Sequence, residues 1–81
     1  MVTDPNLVNA PLALLNGWSS QLQNAPDAIK QHWGILITVW EAYSETGNLT
    51  KNRAQLLTYN ATTQVRYYSA STGKWSSWGA S

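Results

Sequence analysis

Carboxylates and a histidine are the side chains from which this chain could build a catalytic or metal site. Glu41 and Glu45 stand four residues apart, a pair that general acid–base chemistry could use. Because Glu41 falls in a predicted strand and Glu45 in the loop after it, we expect both carboxylates to be solvated. His32 has only Asp27 near it and the chain has no cysteine, so the three or four donors of a metal site are missing. We predict a protein that is not an enzyme and holds no metal or cofactor.

Tryptophan and tyrosine supply chemistry of another kind, that of binding. The chain has five Trp and four Tyr but no Phe, and both rings join an apolar face to a polar atom, which suits surfaces and interfaces. In a strand over residues 64–69, alternation places Val65 and Tyr67 on one face and Arg66 and Tyr68 on the other. We expect the first pair to face the core and the second pair to face outward.

An outward ring beside a guanidinium group could bind a sugar, because the ring stacks on the sugar and the guanidinium donates to hydroxyls or to an anionic group. By strand parity Trp40 could share that face, and Trp78 could flank it. The predicted ligand-binding residues are therefore Trp40, Arg66, Tyr68 and Trp78. The same face could instead be a subunit interface, where Tyr, Trp and Arg are also enriched. Trp75 and Trp78 are three residues apart, so they are predicted to point to opposite faces, one into the core.

Charge argues against a nucleic-acid partner. Five Lys and Arg against four Asp and Glu give a formal net charge of +1, and the basic residues are scattered along the chain. A surface that follows phosphates needs a concentrated basic stripe, which is not visible. The apolar stretch over residues 8–15 is interrupted by Asn9 and Pro11 and is too short to span a membrane. We expect no membrane insertion.

The length of the chain limits its stability. At 81 residues it makes one domain at most, and so short a chain buries only about 60–65% of its unfolded surface. Without cysteine it cannot form a disulfide. Dense aromatic packing, oligomerisation or attachment to a larger assembly remain as compensations. We expect a homo-oligomer.

Four runs of β-branched and aromatic residues, separated by turn residues, predict an antiparallel sheet. These strands are expected near residues 35–40, 55–59, 64–69 and 74–78. The first run is apolar on both parities, so we expect both of its faces to be covered, one by the core and one by a neighbour. The predicted fold class is mainly β, a small antiparallel meander or sandwich with an irregular or partly helical N-terminal segment.

The chain is predicted to consist of an arm over residues 1–11 followed by a β domain over residues 12–81. Two prolines and two asparagines favour an irregular arm. A short helical turn is predicted around residues 12–18, and another short helix over residues 27–33 with Asp27 as its N-cap. Residues 44–52 are predicted to be a loop and residues 60–63 a turn.

Several of these pieces together resemble the small knob module of bacteriophage and R-type pyocin tail fibres. The matching pieces cover residues 12–81 in the family's order: Gly17-Trp18-Ser19, Asn24-Ala25-Pro26, Gly34-Ile35-Leu36-Ile37, Gln55-Leu56-Leu57, Arg66-Tyr67-Tyr68 and Trp75-Ser76-Ser77-Trp78. In the family pattern the Arg usually follows the Tyr residues, whereas Arg66 precedes them here.

The resemblance implies a homotrimeric virion protein near the tip of a tail fibre or tailspike. Its expected function is attachment to the host cell through bacterial surface carbohydrate. The alternative is a structural or trimerisation domain of the fibre that binds no ligand, and a third is a small adaptor or inhibitor unrelated to fibres. The localisation that the resemblance implies is the virion. Since no N-terminal secretion signal is recognisable, we expect such a protein to reach the outside by host lysis.

Overall fold

A single antiparallel sheet forms the framework of the molecule. The computed structural model describes residues 2–80, so Met1 of the predicted arm and Ser81 of the predicted β domain lie outside it. The strands are β1 (Leu12–Asn16), β2 (Trp33–Ala42), β3 (Leu49–Tyr59), β4 (Thr62–Ser69), β5 (Lys74–Trp75) and β6 (Gly79–Ala80). They are ordered β1-β2-β3-β4, and both β5 and β6 pair with β4. The predicted mainly β, antiparallel fold class is confirmed.

The central strands are longer than predicted. Strand β3 begins at Leu49, so the predicted loop over residues 44–52 is wrong in its second half. Strand β4 begins at Thr62, directly opposite Tyr59. The predicted four-residue turn is therefore a two-residue turn, and both of its residues, Asn60 and Ala61, have positive φ (46° and 57°), as the tightest hairpins require.

The first strand replaces the helical turn predicted around residues 12–18. Residues Leu12–Asn16 pair antiparallel with β2, from Leu12 opposite Ile37 to Asn16 opposite Trp33. The unpaired edge of β2 offers a full row of backbone partners, which outweighs a weak local helical preference. The helix predicted over residues 27–33 is reduced to the 3₁₀ turn Asp27–Ile29 with Pro26 at its N-cap position, and Trp33 belongs to β2.

One face of the sheet is covered by the chain's own connections. Leu15, Leu36, Leu57 and Tyr59 are buried there, and Val8 of the N-terminal arm and Ile29 of the β1–β2 connection pack on them. Ile29 fits because Gly34 lies beneath it: a Cβ on Gly34 would be 2.7 Å from the Ile29 Cδ1 and 2.8 Å from the Leu57 Cδ1. The arm is thus part of the core, and it contains a 3₁₀ turn, Pro5–Leu7.

The opposite face of the sheet carries a second set of apolar side chains that stay exposed. Strand β2 alternates between buried and exposed residues from Trp33 to Val39, although both parities are apolar. In a single chain, therefore, one set of alternating β2 residues is buried by the rest of the chain, and the other set is exposed to solvent.

Candidate functional site

A bulge in the last strand decides where the two C-terminal tryptophans lie. Trp75 pairs with Tyr68 and Gly79 with Val65, so three residues, 76–78, stand against two on β4. One residue in excess is a β-bulge, held by Ser76, whose N–H donates to the Tyr67 carbonyl at 2.7 Å. The bulge rotates the strand, so that Trp75 and Trp78 both lie against Arg66. The prediction that these two rings point to opposite faces is wrong.

Arg66 is enclosed rather than outward-facing. Its guanidinium carbon lies 3.8 Å from the ring centre of Trp75 and 4.6 Å from that of Trp78, and the residue is only 3% exposed. Val65 is half-buried on the opposite face and Tyr67 is exposed there, so the predicted inward and outward pairs of β4 are reversed. The Arg66 parity can be buried because two indole rings pack against the guanidinium and its Nε donates a hydrogen bond to Gln55.

A short chain of hydrogen bonds links Arg66 to the N-terminal arm. The Arg66 Nε donates to the Gln55 Oε1 at 2.8 Å, and the Gln55 Nε2 donates to the Pro5 carbonyl at 2.9 Å and to the Thr38 hydroxyl at 3.2 Å. Burial lowers the pKa of Arg66 from its ordinary value to about 10, against the opposing effect of Asp4. Arg66 is therefore a buried cation at neutral pH and a structural element of the core.

Trp78, which packs against Arg66, is also linked by hydrogen bonds to the N-terminal half of the chain. Its indole Nε1 donates to the Asn24 carbonyl at 2.9 Å, and the Asn24 side-chain amide donates to Asp4 Oδ1 at 3.0 Å. Arm, connection and C-terminal strand thus meet around Arg66. Trp78, which the sequence assigns to the ligand site, acts here in packing.

Four residues form a row across the end of the sheet beyond Arg66. The register places Trp40 opposite Arg53, Arg53 opposite Tyr68 and Tyr68 opposite Trp75. The Arg53 guanidinium lies 4.8 Å from the Tyr68 ring centre and 5.4 Å from that of Trp75. We call these four residues the aromatic row; all are half-buried, so their rings stay partly accessible.

The aromatic row borders an open groove of about 620 Å³. Strands β2 to β5 contribute its walls. Besides the aromatic row, the groove is lined by Val39, Glu41, Asn52, Ala54, Tyr67, Ser69, Thr72, Lys74 and Ser76. Glu41 Oε2 accepts a hydrogen bond from the Asn52 side-chain amide at 2.9 Å. The groove thus combines rings, two cations, a carboxylate and an amide, which is a lining for a polar ligand with apolar faces.

Two of the four predicted ligand residues belong to this groove. Trp40 and Tyr68 line it, whereas Arg66 and Trp78 lie beside it and hold the core together. The sequence reasoning missed Arg53 and Trp75. A two-residue turn at residues 60–61 would have placed Arg53 opposite Tyr68, so the signal lay in the length of that turn.

The described residues also lack the grouping of donors that a metal site requires. Within residues 2–80 no group of three or more His, Cys, Asp or Glu could hold a metal ion. His32 lies beside Tyr59, with ring centres 6.5 Å apart. No helix in the described part of the chain is long and apolar enough to cross a membrane.

Comparisons with protein-family models, with curated proteins and with solved structures find no match. The resemblance to tail-fibre knobs therefore rests on the sequence motifs alone.

Proposed function

We propose that this chain is a non-catalytic attachment module that binds a saccharide of the bacterial surface in the groove beside the aromatic row. The observation that carries the proposal is the register of Trp40, Arg53, Tyr68 and Trp75 on four adjacent strands. Partly exposed rings give a sugar apolar faces on which to stack. The proposed setting is a tail fibre or tailspike of a virion, as the motif resemblance implies.

The charged side chains of the groove indicate which kind of saccharide it would bind. Arg53 and Lys74 both line the groove, and neither forms an ion pair with a carboxylate among the described residues. Glu41 is the one acidic residue in the lining, and Asn52 already donates to it. We expect a saccharide that carries a carboxylate or phosphate group near the two cations, because such groups accept charge-assisted hydrogen bonds.

Binding to an array of acidic and neutral bacterial oligosaccharides, followed by titration of the best ligand, tests the proposal. Replacing Lys74 with Gln removes one exposed cation from the groove and should weaken binding of the acidic ligand about tenfold, roughly 1.4 kcal/mol, more so at low salt. Lys30→Gln is the matched control, since Lys30 is an exposed lysine paired with Asp27 away from the groove. It should leave binding unchanged.

Tyr67→Ala provides a second variant, because Tyr67 lines the groove and is 61% exposed, so that the fold should tolerate its loss. The proposal fails if no saccharide on the array binds, or if Lys74→Gln and Tyr67→Ala bind as well as the unmodified chain. That result would favour the alternative role, a structural fibre domain without a ligand of its own.

A further inference from the structure

We infer that the uncovered face of the sheet is an interface between copies of this chain. Leu12 is 65% exposed, Trp33 49% and Ile35 41%, whereas Leu36 and Leu57 on the other face are 0% exposed. Soluble monomers rarely leave large contiguous apolar patches in water. The contrast between the two faces marks the exposed one as a surface that another molecule covers.

The strand register makes these side chains one continuous surface. Leu12 lies opposite Ile37, Ile37 opposite Leu56, and Leu56 opposite Val65, which is a row of four apolar residues across four strands. Leu14 and Ile35 form the next row. We call the whole set the apolar face: Leu12, Leu14, Trp33, Ile35, Ile37, Val39, Leu56, Val65 and Tyr67. Val39 and Tyr67 lie where it meets the groove.

The area of the apolar face suits a pairing of whole sheets. Seven of its side chains are 39–65% exposed. Two of them, Trp33 and Tyr67, are aromatic residues of about 150–250 Å² each, so the seven together expose several hundred Å². The largest patch on a typical monomer is about 300–600 Å², and a stable interface buries about 800 Å² on each partner. A face of this size is sufficient for one specific interface.

We assign a second copy of the same chain as the occupant of the apolar face. The nine side chains of this face carry no charge, so two copies can face each other without like-charge repulsion. Two sheets of this kind pack face to face about 10 Å apart. Each copy would then cover the second parity of β2 in the other, which the sequence predicted to be covered by a neighbour.

Association through the sheet edges is less suited to this molecule. Along the β1 edge, the Val2 N–H donates to the Leu14 carbonyl and the Asn16 N–H to the Val2 carbonyl, both at 2.9 Å. The far edge consists of the two-residue strands β5 and β6 with the bulge between them. Short, capped or bulged edges resist strand addition, so the face rather than an edge is the site of association.

Sedimentation equilibrium of the full chain at micromolar to submillimolar concentration tests the inference. The expected mass is twice the 9.0 kDa of one chain, because one face that pairs with its own copy closes as a dimer. Leu12→Lys places a charge on the apolar face and should raise the dissociation constant at least tenfold. The matched control is Leu7→Lys, because Leu7 is an exposed leucine (77%) away from the sheet face; it should not change the mass.

Ile35→Lys repeats the test at the centre of the face, and far-UV circular dichroism establishes that each variant keeps its strands. An unmodified chain that stays at 9.0 kDa throughout the concentration range overturns the inference. So does equal dissociation by Leu12→Lys and Leu7→Lys, or an assembly that folded Leu12→Lys and Ile35→Lys leave intact.

Discussion

At the scale of single residues, Arg66 shows how a cation can be part of a small core. Its guanidinium lies close to the rings of Trp75 and Trp78, and its Nε donates a hydrogen bond to Gln55. The two rings attract the cation, and the hydrogen bond satisfies one of its donors. A residue that sequence alone assigns to ligand binding is therefore a packing residue.

Replacing Arg66 with Ala should destabilise the protein strongly. The change leaves a void beside two indole rings and a buried Gln55 oxygen without its donor, so we expect the free energy of unfolding to fall by about 3 kcal/mol. Urea denaturation followed by tryptophan fluorescence measures the change.

Lys51→Ala is the control for this substitution, because Lys51 is an exposed cation in β3. Its effect should stay within about 0.5 kcal/mol. Equal midpoints for Arg66→Ala and the unmodified chain would contradict the structural role of Arg66.

At the scale of elements, the hairpin between β3 and β4 determines which residues meet. Tyr59 pairs with Thr62 across the turn, and every pair farther along follows from that, including Arg53 opposite Tyr68. A turn longer by two residues would move Arg53 away from Tyr68 and dissolve the aromatic row, since turn length sets the register of a hairpin.

The same turn contains a conformation that its sequence does not favour. Ala61 has φ 57°, where a side chain costs about 1–2 kcal/mol relative to glycine. Ala61→Gly should therefore raise the free energy of unfolding by about 1 kcal/mol, with saccharide binding unchanged.

Ala70→Gly is the control for the stability gained by Ala61→Gly. Ala70 is also an exposed turn residue, but it does not have a positive φ. There glycine only adds freedom to the unfolded chain and should lower stability. A stabilisation by Ala70→Gly as large as that by Ala61→Gly would show that the conformation at residue 61 is not the cause.

At the scale of the whole molecule, a single chain encloses few buried apolar residues. Val8, Leu15, Ile29, Leu36, Leu57 and Tyr59 make up the buried hydrophobic core of the described residues. Domains of this length are marginal without additional support. Under the proposed self-association, the apolar face supplies a second core between chains.

Thermal stability should then depend on protein concentration. Association of folded chains draws the equilibrium toward the folded state, so the midpoint of thermal unfolding should rise as concentration increases. Scanning calorimetry across a hundredfold range of concentration measures this, and Leu12→Lys should flatten the dependence. A midpoint that is constant over that range would argue for a folded monomer.

The central strands could be predicted from the sequence because they depend on the local pattern of residue types. Alternating β-branched and aromatic residues predicted the four runs that became parts of β2, β3, β4 and the broken last strand. Strand β1 was not predicted, since the short stretch Leu12–Asn16 becomes a strand only beside the edge of β2. The groove was half predicted: parity grouped Trp40 with Tyr68, whereas Arg53 depended on a turn length that local residue preferences did not reveal.

The fold class and the aromatic chemistry could be predicted from the sequence, because period-two patterning and residue type are local properties. Which face of the sheet is buried depends on tertiary packing. Both parities of β2 are apolar, so burial depended on where the N-terminal arm and the Ile29 turn pack. A one-residue bulge after Trp75 then brought two rings onto Arg66, because one added residue exchanges the faces of the last strand. The orientation of β4 follows from its pairing with β3, which places Arg66 opposite the buried Gln55.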